Sequence, residues 1–448
     1  TWGRWSFIGL NPSLTLTLSG GSLAAEGAVP DGVSVDDGLL VAMQGLLEHF
    51  RSPDIEGLPP LHGGLMGFLG YDVVREVERL PDSPPDDRGF PDGVMSVIGD
   101  MVAIDHWRQR AVLIANVVVP DSADGADLDS LYSDAQDRLD RLAAAGALPL
   151  DEPLMMPPDQ ADEAPETTSS MSRHDYCLAV EAAREHILAG DIFQVVLSQR
   201  FDVELDAEPF DVYRVLRQIN PSPYMYFLRY PDMTVVGSSP EPMVQLLDGR
   251  VISRPIAGTR RRGSTEADDR RMAAELAEDP KERAEHVMLV DLARNDVGRV
   301  VKFGSEEVEE MMALERYSHV MHLTSQVAGD LAHGCTPIDV LRATLPAGTV
   351  SGAPKVRAME IIDQLEPVKR GPYAGVIGYF DFSGNIDTAI AIRTMLVKDG
   401  IASVQAGAGI VADSVPESEY EECRNKAKAL LVAVPAARRM TAARSATD

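Results

Sequence analysis

An acidic, proline-rich segment divides the 448-residue chain into two unequal parts. Residues 151–170 contain six Asp or Glu residues and four prolines but no Lys or Arg. This composition is typical of an exposed linker, because proline interrupts helices and sheets and like charges keep a chain extended. We therefore predict an N-terminal α/β domain over residues 1–150, a linker over 151–170, a larger domain over 171–436 and a C-terminal tail over 437–448.

Charge and cysteine content limit the partners and the location of the chain. Forty-one Lys and Arg residues against 70 Asp and Glu residues give a formal charge of −29. So acidic a chain is expected to bind neither nucleic acid, which needs a basic face, nor an anionic membrane surface. No run of about 18 apolar residues predicts a membrane span. Three widely spaced cysteines are typical of free thiols in a reducing compartment, so we expect a cytoplasmic protein.

The spacing of apolar residues predicts a mixture of strands and helices. Residues 14–18 alternate as a half-buried strand does, and residues 39–50 carry the stripe of an amphipathic helix. A capping serine, Ser172, begins the first helix after the linker. Further helices are predicted over residues 266–295 and 417–434.

Two pairs of glutamates have the spacing of a helical face. Glu282 and Glu285 are three residues apart, and so are Glu419 and Glu422. Carboxylate oxygens suit Mg²⁺, and each pair lies on one side of its helix. Taken alone, each pair is more simply a solvated helix surface, with a lysine such as Lys426 as its counter-charge. Two such helices facing each other could complete a magnesium site.

Three other stretches could accept a small anionic ligand. Residues 346–355 lack the spacing of a phosphate loop, so they form either a turn before a helix or a nest of N–H groups for a carboxylate. Small residues at 406–409 permit either close ligand approach or tight packing. Arg393 lies in an apolar run, where a guanidinium needs an anionic partner, either a protein carboxylate or a substrate carboxylate.

A series of ordered segments resembles a known family. The matching segments are GRWSFIG at 3–9, DIFQVVLSQR at 191–200, NPSPYMY at 220–226, GSSPE at 237–241, PIAGT at 255–259, KERAEHVMLVDLARND at 281–296, YSHVMHL at 317–323, LPAGTVSGAPKVRAME at 345–360, AIAIRT at 389–394, VQAGAGIVADS at 404–414 and ECRNKA at 422–427. Together they resemble the chorismate-utilising enzymes, most specifically component I, the large subunit, of anthranilate synthase. The resemblance covers nearly the whole chain and is strongest over 172–434.

This resemblance implies a fold and a reaction. The fold is α/β (α+β): a two-lobed chorismate-binding fold with antiparallel sheets packed together and helices outside. Residues 171–436 would then be the catalytic domain, and residues 1–150 a regulatory and structural one. The implied reaction is the Mg²⁺-dependent conversion of chorismate and ammonia to anthranilate and pyruvate, the first committed step of tryptophan biosynthesis. A separate glutamine amidotransferase subunit would supply the ammonia.

The resemblance also implies roles for particular residues. Glu285 and Glu422 match the Mg²⁺ ligands, and Glu282 and Glu419 match groups that hold metal-bound waters. Glu241 matches the general acid that protonates the departing C4 hydroxyl. The active-site histidine is matched by His322, and the substrate contacts are matched by Thr349, Gly352, Tyr373, Arg393, Ala406, Gly407, Gly409 and Lys426.

Two positions separate the members of this family. Ala257 stands where aminodeoxychorismate synthases usually carry a nucleophilic lysine, and alanine cannot act as a nucleophile. Gln194 stands where isochorismate and salicylate synthases carry a lysine that activates water, whereas a neutral glutamine suits ammonia. Both positions favour anthranilate synthase. The alternatives are an aminodeoxyisochorismate synthase, which would stop before losing pyruvate, and an aminodeoxychorismate synthase.

Feedback inhibition by tryptophan is also implied by the resemblance. One wall of the family's inhibitor site is matched by Pro221, Ser222, Pro223, Tyr224 and Met225. The opposite wall comes from a Leu-Leu-Glu-Ser strand ahead of the GRWSFIG segment, a position before Thr1 in this sequence. Inhibition is therefore expected where that strand is present. A tryptophan sensor without catalysis is a further alternative, but it would not need the glutamates and the histidine of the catalytic set.

Overall fold

The computed structural model describes residues 3–53, 55–120, 122–150, 152, 159, 162–316 and 320–445. The α-helices of these residues are α1 (Leu39–His49), α2 (Gly125–Gly146), α3 (Arg173–Leu188), α4 (Pro209–Ile219), α5 (Glu266–Glu278), α6 (Pro280–Gly298), α7 (Pro337–Thr344), α8 (Lys355–Leu365), α9 (Pro416–Leu431) and α10 (Val434–Ser445). No helix in these ranges is both long enough and apolar enough to cross a membrane.

The strands of the same residues are β1 (Trp5–Leu10), β2 (Leu14–Ser19), β3 (Ser22–Gly27), β4 (Gly64–Leu69), β5 (Gly93–Ile98), β6 (Asp100–Asp105), β7 (Arg110–Ala115), β8 (Thr168–Ser169), β9 (Gln194–Glu204), β10 (Tyr224–Arg229), β11 (Thr234–Ser239), β12 (Pro242–Leu247), β13 (Arg250–Ser253), β14 (Ile256–Arg261), β15 (Glu307–Arg316), β16 (Val320–Asp330), β17 (Gly352–Ala353), β18 (Val376–Asp381), β19 (Ile386–Ile390), β20 (Thr394–Lys398) and β21 (Ile401–Ile410). Short 3₁₀ turns lie at Tyr71–Glu76 and Gly348–Val350.

These strands form three antiparallel sheets. A 3-stranded sheet has the order β1-β6-β7. A 7-stranded sheet has the order β10-β11-β20-β21-β9-β17, with β8 also paired to β9. An 11-stranded sheet has the order β14-β16-β13-β12-β19-β18-β4-β5-β2-β3, with β15 also paired to β16. The predicted α+β fold with antiparallel sheets is confirmed.

The largest sheet contains strands from both sides of the acidic segment. Strand β4 pairs with β18, so the sheet continues from residues 1–150 into the larger predicted domain. Glycines permit this close pairing, because a Cβ on Gly64 would lie 2.1 Å from Phe380 O. The composition changes at 151–170 as described, but one continuous sheet includes strands from before and after this segment.

One hydrophobic cluster joins the two larger sheets. It includes Leu16 and Leu65 from the 11-stranded sheet and Leu197 and Val404 from the 7-stranded sheet. Helix α8 packs on β9, and α9 packs on β21. The face of β9 and β21 opposite these core residues carries Ser198 and Gly407 as directly opposed partners, because side chains alternate along a strand.

Local sequence signals place the helix ends correctly. The Ser172 hydroxyl accepts a hydrogen bond from Asp175 N at the start of α3, and Gly190 follows its end with a φ of 84°. Asp279 caps α6 with its side chain. These caps follow from the usual preferences of helix termini.

The segments 151–170 and 437–448, on either side of the larger predicted domain, differ from expectation in detail. Most of residues 151–161 lie outside the described part of the chain, but Glu152 pairs with Arg214 and Arg444. The segment 437–448, predicted as a tail, continues α10 as far as Ser445. Ala437 and Met440 are buried in the core, so an apolar face holds this helix against the domain.

Candidate active site

Glu241 follows β11 and lines a pocket that is open to solvent. The Ser239 hydroxyl and the Ile390 backbone fix this turn, since Ile390 N donates to Glu241 O at 3.0 Å. Burial raises the pKa of the Glu241 carboxyl to about 7, although the nearby Thr349 hydroxyl and the Lys426 charge lower it. Glu241 can therefore carry and release a proton near neutral pH.

Thr349 lies in the same pocket, in the 3₁₀ turn between α7 and α8. Its hydroxyl is buried and forms no hydrogen bond of ordinary geometry within the described chain. The hydroxyl nevertheless lies close enough to the Glu241 carboxyl to lower its pKa, so both groups face the same pocket. The segment 346–355 is thus a turn that leads into α8, and its Lys355 is held by Asp296 at 3.1 Å.

Arg393 contributes a cation to the site, next to the charge of Glu422. It joins β19 to β20 with a φ of 50°, which is uncommon outside glycine. Burial lowers the pKa of its guanidinium, and Tyr373 and the Glu422 charge partly offset this. No carboxylate of the described residues lies within ion-pair distance of Arg393, so the protein-partner alternative is not supported there. The guanidinium is available for an anionic ligand.

Gly407 lies between Tyr373 and Lys426. A Cβ on Gly407 would meet the Tyr373 hydroxyl at 2.8 Å and Leu197 O at 2.8 Å, so only glycine fits without displacement. Lys426 Nζ donates to Gly407 O at 2.9 Å and pairs with Glu422 at 2.7 Å. These contacts link strand β21 to helix α9 through a single lysine.

Gln194 and Gly352 meet where β9 begins. Gln194 is buried, and a Cβ on Gly409 would lie 2.8 Å from its side-chain amide nitrogen. Gly352 has a φ of 147°, and a Cβ there would come 2.2 Å from Gln194 O. The predicted alternation along β9, with Gln194 and Ser198 on one face, agrees with this placement.

His322 lies on β16. Its Nδ1 is 3.0 Å from the Thr259 hydroxyl and 3.1 Å from Gly258 O. Burial lowers the pKa of His322, and the Arg393 charge lowers it further, so the neutral imidazole is favoured at pH 7.

The four candidate metal-site carboxylates lie on helices α6 and α9, close enough for the Glu422 charge to act on Glu285. Burial raises the pKa of Glu285, and the charges of Glu282 and Glu422 raise it further. Burial and Glu422 likewise raise the pKa of Glu419. Glu282 is already paired, at 2.8 Å, with Arg260.

No group of three or more His, Cys, Asp or Glu side chains in the described ranges is arranged to hold a metal ion. Mg²⁺ does not need such a group, since it usually takes one or two protein carboxylates and completes its shell with water and substrate oxygens. Glu285 and Glu422 fit this demand, because burial and then the charges of Glu282 and Glu422 raise the pKa of Glu285, and a cation near these carboxylates would favour their ionised form.

Two sets of predicted residues lie apart from this group. The side chain of Ala406 belongs to the hydrophobic core, because it points to the face of β21 opposite Gly407, so only its backbone could reach a ligand. The segment 221–225 leads into β10, an edge strand of the 7-stranded sheet. There the Tyr224 hydroxyl donates to Asp387 at 2.8 Å.

Sequence reasoning missed a buried ion pair beside the site, between Arg370 and Glu366. The argument that singled out Arg393 could have found it, because Arg370 also lies close to apolar segments. Arg370 has a protein carboxylate as its partner, whereas Arg393 has no such partner among the described residues and could bind a ligand.

Comparison with known proteins gives a consistent result. The family model described as chorismate binding enzyme matches residues 25–432. A protein of Pseudomonas putida named anthranilate synthase component 1 is 49% identical over 448 residues, covering 98% of this chain and 89% of that protein. Its namesake from Acetivibrio thermocellus is 46% identical over 437 residues, covering 97% of this chain and 87% of that protein.

Solved structures agree with the sequence comparison. The crystal structure of anthranilate synthase component I from Streptococcus pneumoniae TIGR4 has a TM-score of 0.82 and 38% identity, covering 96% of this chain and 92% of that one. The menaquinone-specific isochorismate synthase of Escherichia coli has a TM-score of 0.69 at 18% identity, covering 97% and 95% of the two chains, and thus shares the fold.

Proposed function

Because the chain belongs to the chorismate binding enzyme family, we propose that it is an anthranilate synthase component I, which converts chorismate and ammonia to anthranilate and pyruvate. One observation carries the proposal. Glu241, whose pKa is raised to about 7, and Arg393, without a carboxylate partner in the described residues, belong to one group of side chains linked through Lys426 and Glu422. An acid and a free cation in one site suit an anionic substrate with a poor leaving group.

Glu241 is the general acid of this mechanism. In the first step ammonia adds at C2 of chorismate, the ring double bonds shift, and the C4 hydroxyl departs as water with a proton from Glu241. A carboxyl with a pKa of about 7 is still half protonated at that pH, so it can donate without strong acid in solution. In the second step the ring loses its C2 proton and the enolpyruvyl group leaves as pyruvate, which makes the ring aromatic.

Arg393 and Tyr373 bind the enolpyruvyl side chain in this proposal. A buried guanidinium attracts a carboxylate strongly, because little water competes for it. The Tyr373 hydroxyl lies against Gly407 on β21, and Thr349 lies near Glu241 on the 3₁₀ turn that contacts β21. The substrate would therefore lie between β21 and the 3₁₀ turn before α8.

Glu285 and Glu422 would hold Mg²⁺ in this proposal, and Glu282 and Glu419 would support its bound waters. The ion, when bound, neutralises the ring carboxylate and polarises it as a Lewis acid. Burial raises the pKa of Glu285 and the charges of Glu282 and Glu422 raise it further, so a cation at this place would favour the ionised carboxylate.

Gln194 favours ammonia over water as the nucleophile. The buried amide, next to Gly409, carries no charge and cannot act as a base at neutral pH. We propose that a glutamine amidotransferase subunit delivers the ammonia, in line with the component 1 name of the relatives. Tryptophan bound at 221–225 would regulate the enzyme. A reducing, cytoplasmic location suits its free cysteines.

Product analysis tests the proposal. The purified chain is incubated with chorismate, Mg²⁺ and an ammonium salt, and the products are separated and identified by mass. We expect anthranilate and pyruvate in equal amounts. Chorismate consumed without pyruvate would indicate aminodeoxyisochorismate instead, and binding of tryptophan without consumption of chorismate would indicate a sensor.

A further inference from the structure

Arg370 and Glu366 form a buried ion pair directly behind the candidate site. Their residues are 3% and 5% exposed. Arg370 Nη2 lies 2.6 Å from Glu366 Oε1, and Arg370 Nε lies 2.9 Å from Glu366 Oε2, which gives a two-pronged contact. Glu366 lies at the C-terminal end of α8, and Arg370 precedes the turn that carries Tyr373.

The remaining hydrogen bonds of the pair reach two segments that carry site residues. Arg370 Nη1 donates to Val350 O at 2.7 Å, next to Thr349. Arg370 Nη2 donates to Val196 O at 2.7 Å, on the strand that begins with Gln194.

Glu366 and the guanidinium of Arg370 also contact Ser198 and Tyr373. Glu366 Oε1 accepts hydrogen bonds from the backbone N and the hydroxyl of Ser198, at 2.8 and 2.9 Å. The guanidinium carbon of Arg370 also lies 5.6 Å from the centre of the Tyr373 ring. Three separate segments of the chain thus depend on one ion pair for their relative positions.

Stability alone does not account for a charged pair here. Removing two charges from water costs several kcal/mol, and apolar replacements of similar volume are often as stable as the buried pair. What an apolar pair cannot provide is direction, because only a planar guanidinium donates simultaneously to a carboxylate and to two carbonyls.

We propose that Arg370 and Glu366 are positioning residues, which hold Thr349, Tyr373 and the start of β9 in the arrangement that binds chorismate. The inference rests on the proposed function. The pair touches no substrate itself and acts through the three segments that it joins. A displacement of about 1 Å in a binding site can cost roughly 100-fold in rate, so the pair should control both affinity and turnover.

The test replaces both charges together, so that neither is left buried alone. The variant is Arg370→Met with Glu366→Leu, and Arg370→Lys is the conservative single change. For each, chorismate KM and kcat are measured with free ammonia, chorismate binding is measured by calorimetry, and Tm is measured by circular dichroism. We expect the double variant to fold and to show a chorismate KM raised about 10-fold or more, together with a lower kcat.

Arg370→Lys should fall between wild type and the double variant. Lysine keeps the charge opposite Glu366 but cannot reach both carbonyl oxygens at once. If the double variant fails to fold, the single variant still tests the inference. It keeps the ion pair with Glu366 and loses only the simultaneous hydrogen bonds to the two carbonyl oxygens.

A matched control is available on the same helix. Asp363 on α8 forms a similar pair with Arg75, at 2.9 Å, and Arg75 makes its other contacts away from the site, to Asp72, Leu80 and Asp82. Arg75→Met with Asp363→Leu should leave the chorismate KM unchanged.

Two results would overturn the inference. One is a folded double variant with the KM and kcat of the wild type. The other is a loss of kcat that only follows the unfolded fraction, with KM unchanged in both Arg370 variants. If wild type binds chorismate but makes no anthranilate, the proposed function fails while calorimetry still tests the pair. If wild type binds no chorismate, both fail.

Discussion

The Tyr373 hydroxyl occupies the place where a side chain on Gly407 would begin, 2.8 Å from its ideal Cβ position. Because Gly407 has no side chain, the tyrosine can lie against the strand. The Gly407 carbonyl oxygen accepts a hydrogen bond from the Lys426 ammonium. A small residue in the middle of β21 thus sets the distance between the tyrosine and helix α9.

Gly407→Ala should therefore impair turnover. The added methyl group would also meet Leu197 O at 2.8 Å, so either the strand or the tyrosine must move. Overpacking of this kind costs about 1–3 kcal/mol, and about 1.4 kcal/mol corresponds to a tenfold change. We expect kcat/KM for chorismate to fall by roughly tenfold or more. Gly146→Ala, where open space surrounds the glycine, should leave it unchanged.

Glu241→Gln should remove the general acid and keep the fold. General acid catalysis contributes roughly 10²–10⁴-fold, so we expect a loss of that size in kcat while chorismate still binds. In wild type, kcat should decline as the pH rises above about 7, because the proton that Glu241 donates is then lost. A wild-type pH profile without this decline, or an active Gln variant, would remove Glu241 from the mechanism.

The stability of the protein should report the same carboxyl. The pKa of Glu241 is raised from 4.5 to about 7 on folding, so the folded state holds its proton more tightly than the unfolded state does. The contribution is fully present below 4.5 and is lost as the pH rises to about 7. The Tm difference between wild type and Glu241→Gln should therefore shift against wild type over that interval and stay constant above it.

Glu285→Gln should abolish the response to Mg²⁺. Without that carboxylate, one of the two proposed Mg²⁺ ligands is missing, and we expect turnover to fall at least roughly 100-fold at any practical Mg²⁺ concentration. The control is Glu421→Gln on α9, a half-buried glutamate that pairs with Arg424. A Mg²⁺ titration of both variants checks this, and equal curves would refute the metal assignment.

Asp387→Asn should change how stability depends on pH. Burial raises the pKa of Asp387 from 3.8 to about 6, although hydrogen bonds from Gln245 and Tyr224 lower it. Wild type should lose up to about 3 kcal/mol relative to the Asn variant as the pH rises from 3.8 to about 6. Urea unfolding of both proteins at about pH 4 and about pH 7 measures the difference, and an equal difference at both pH values would contradict it.

Much of the site could be predicted because its signals are local. The three-residue spacing of Glu282 and Glu285 places both on one face of α6 whatever the helix packs against. The alternation along β9 placed Gln194 and Ser198 on one face in the same way. Caps such as Ser172 mark helix ends through contacts within three residues.

What could not be predicted depends on contacts between distant segments. Arg370 binds Val350 O and Val196 O, which are 20 and 174 residues away, and no pattern near position 370 specifies either contact. The pairing of β4 with β18 crosses the acidic segment for the same reason, since strand partners are chosen by the whole core. Ala406 matches the family motif, but its side chain lies in the core. A motif match does not specify the face of the strand on which a side chain lies.

The most direct test of the account is the appearance of anthranilate fluorescence from chorismate and an ammonium salt, with wild type and Glu241→Gln measured side by side and with Mg²⁺ present or removed by a chelator. We predict that the signal grows only with wild type and Mg²⁺ together. Anthranilate formed equally without Mg²⁺ or by the Gln variant, or no consumption of chorismate by wild type, would contradict it.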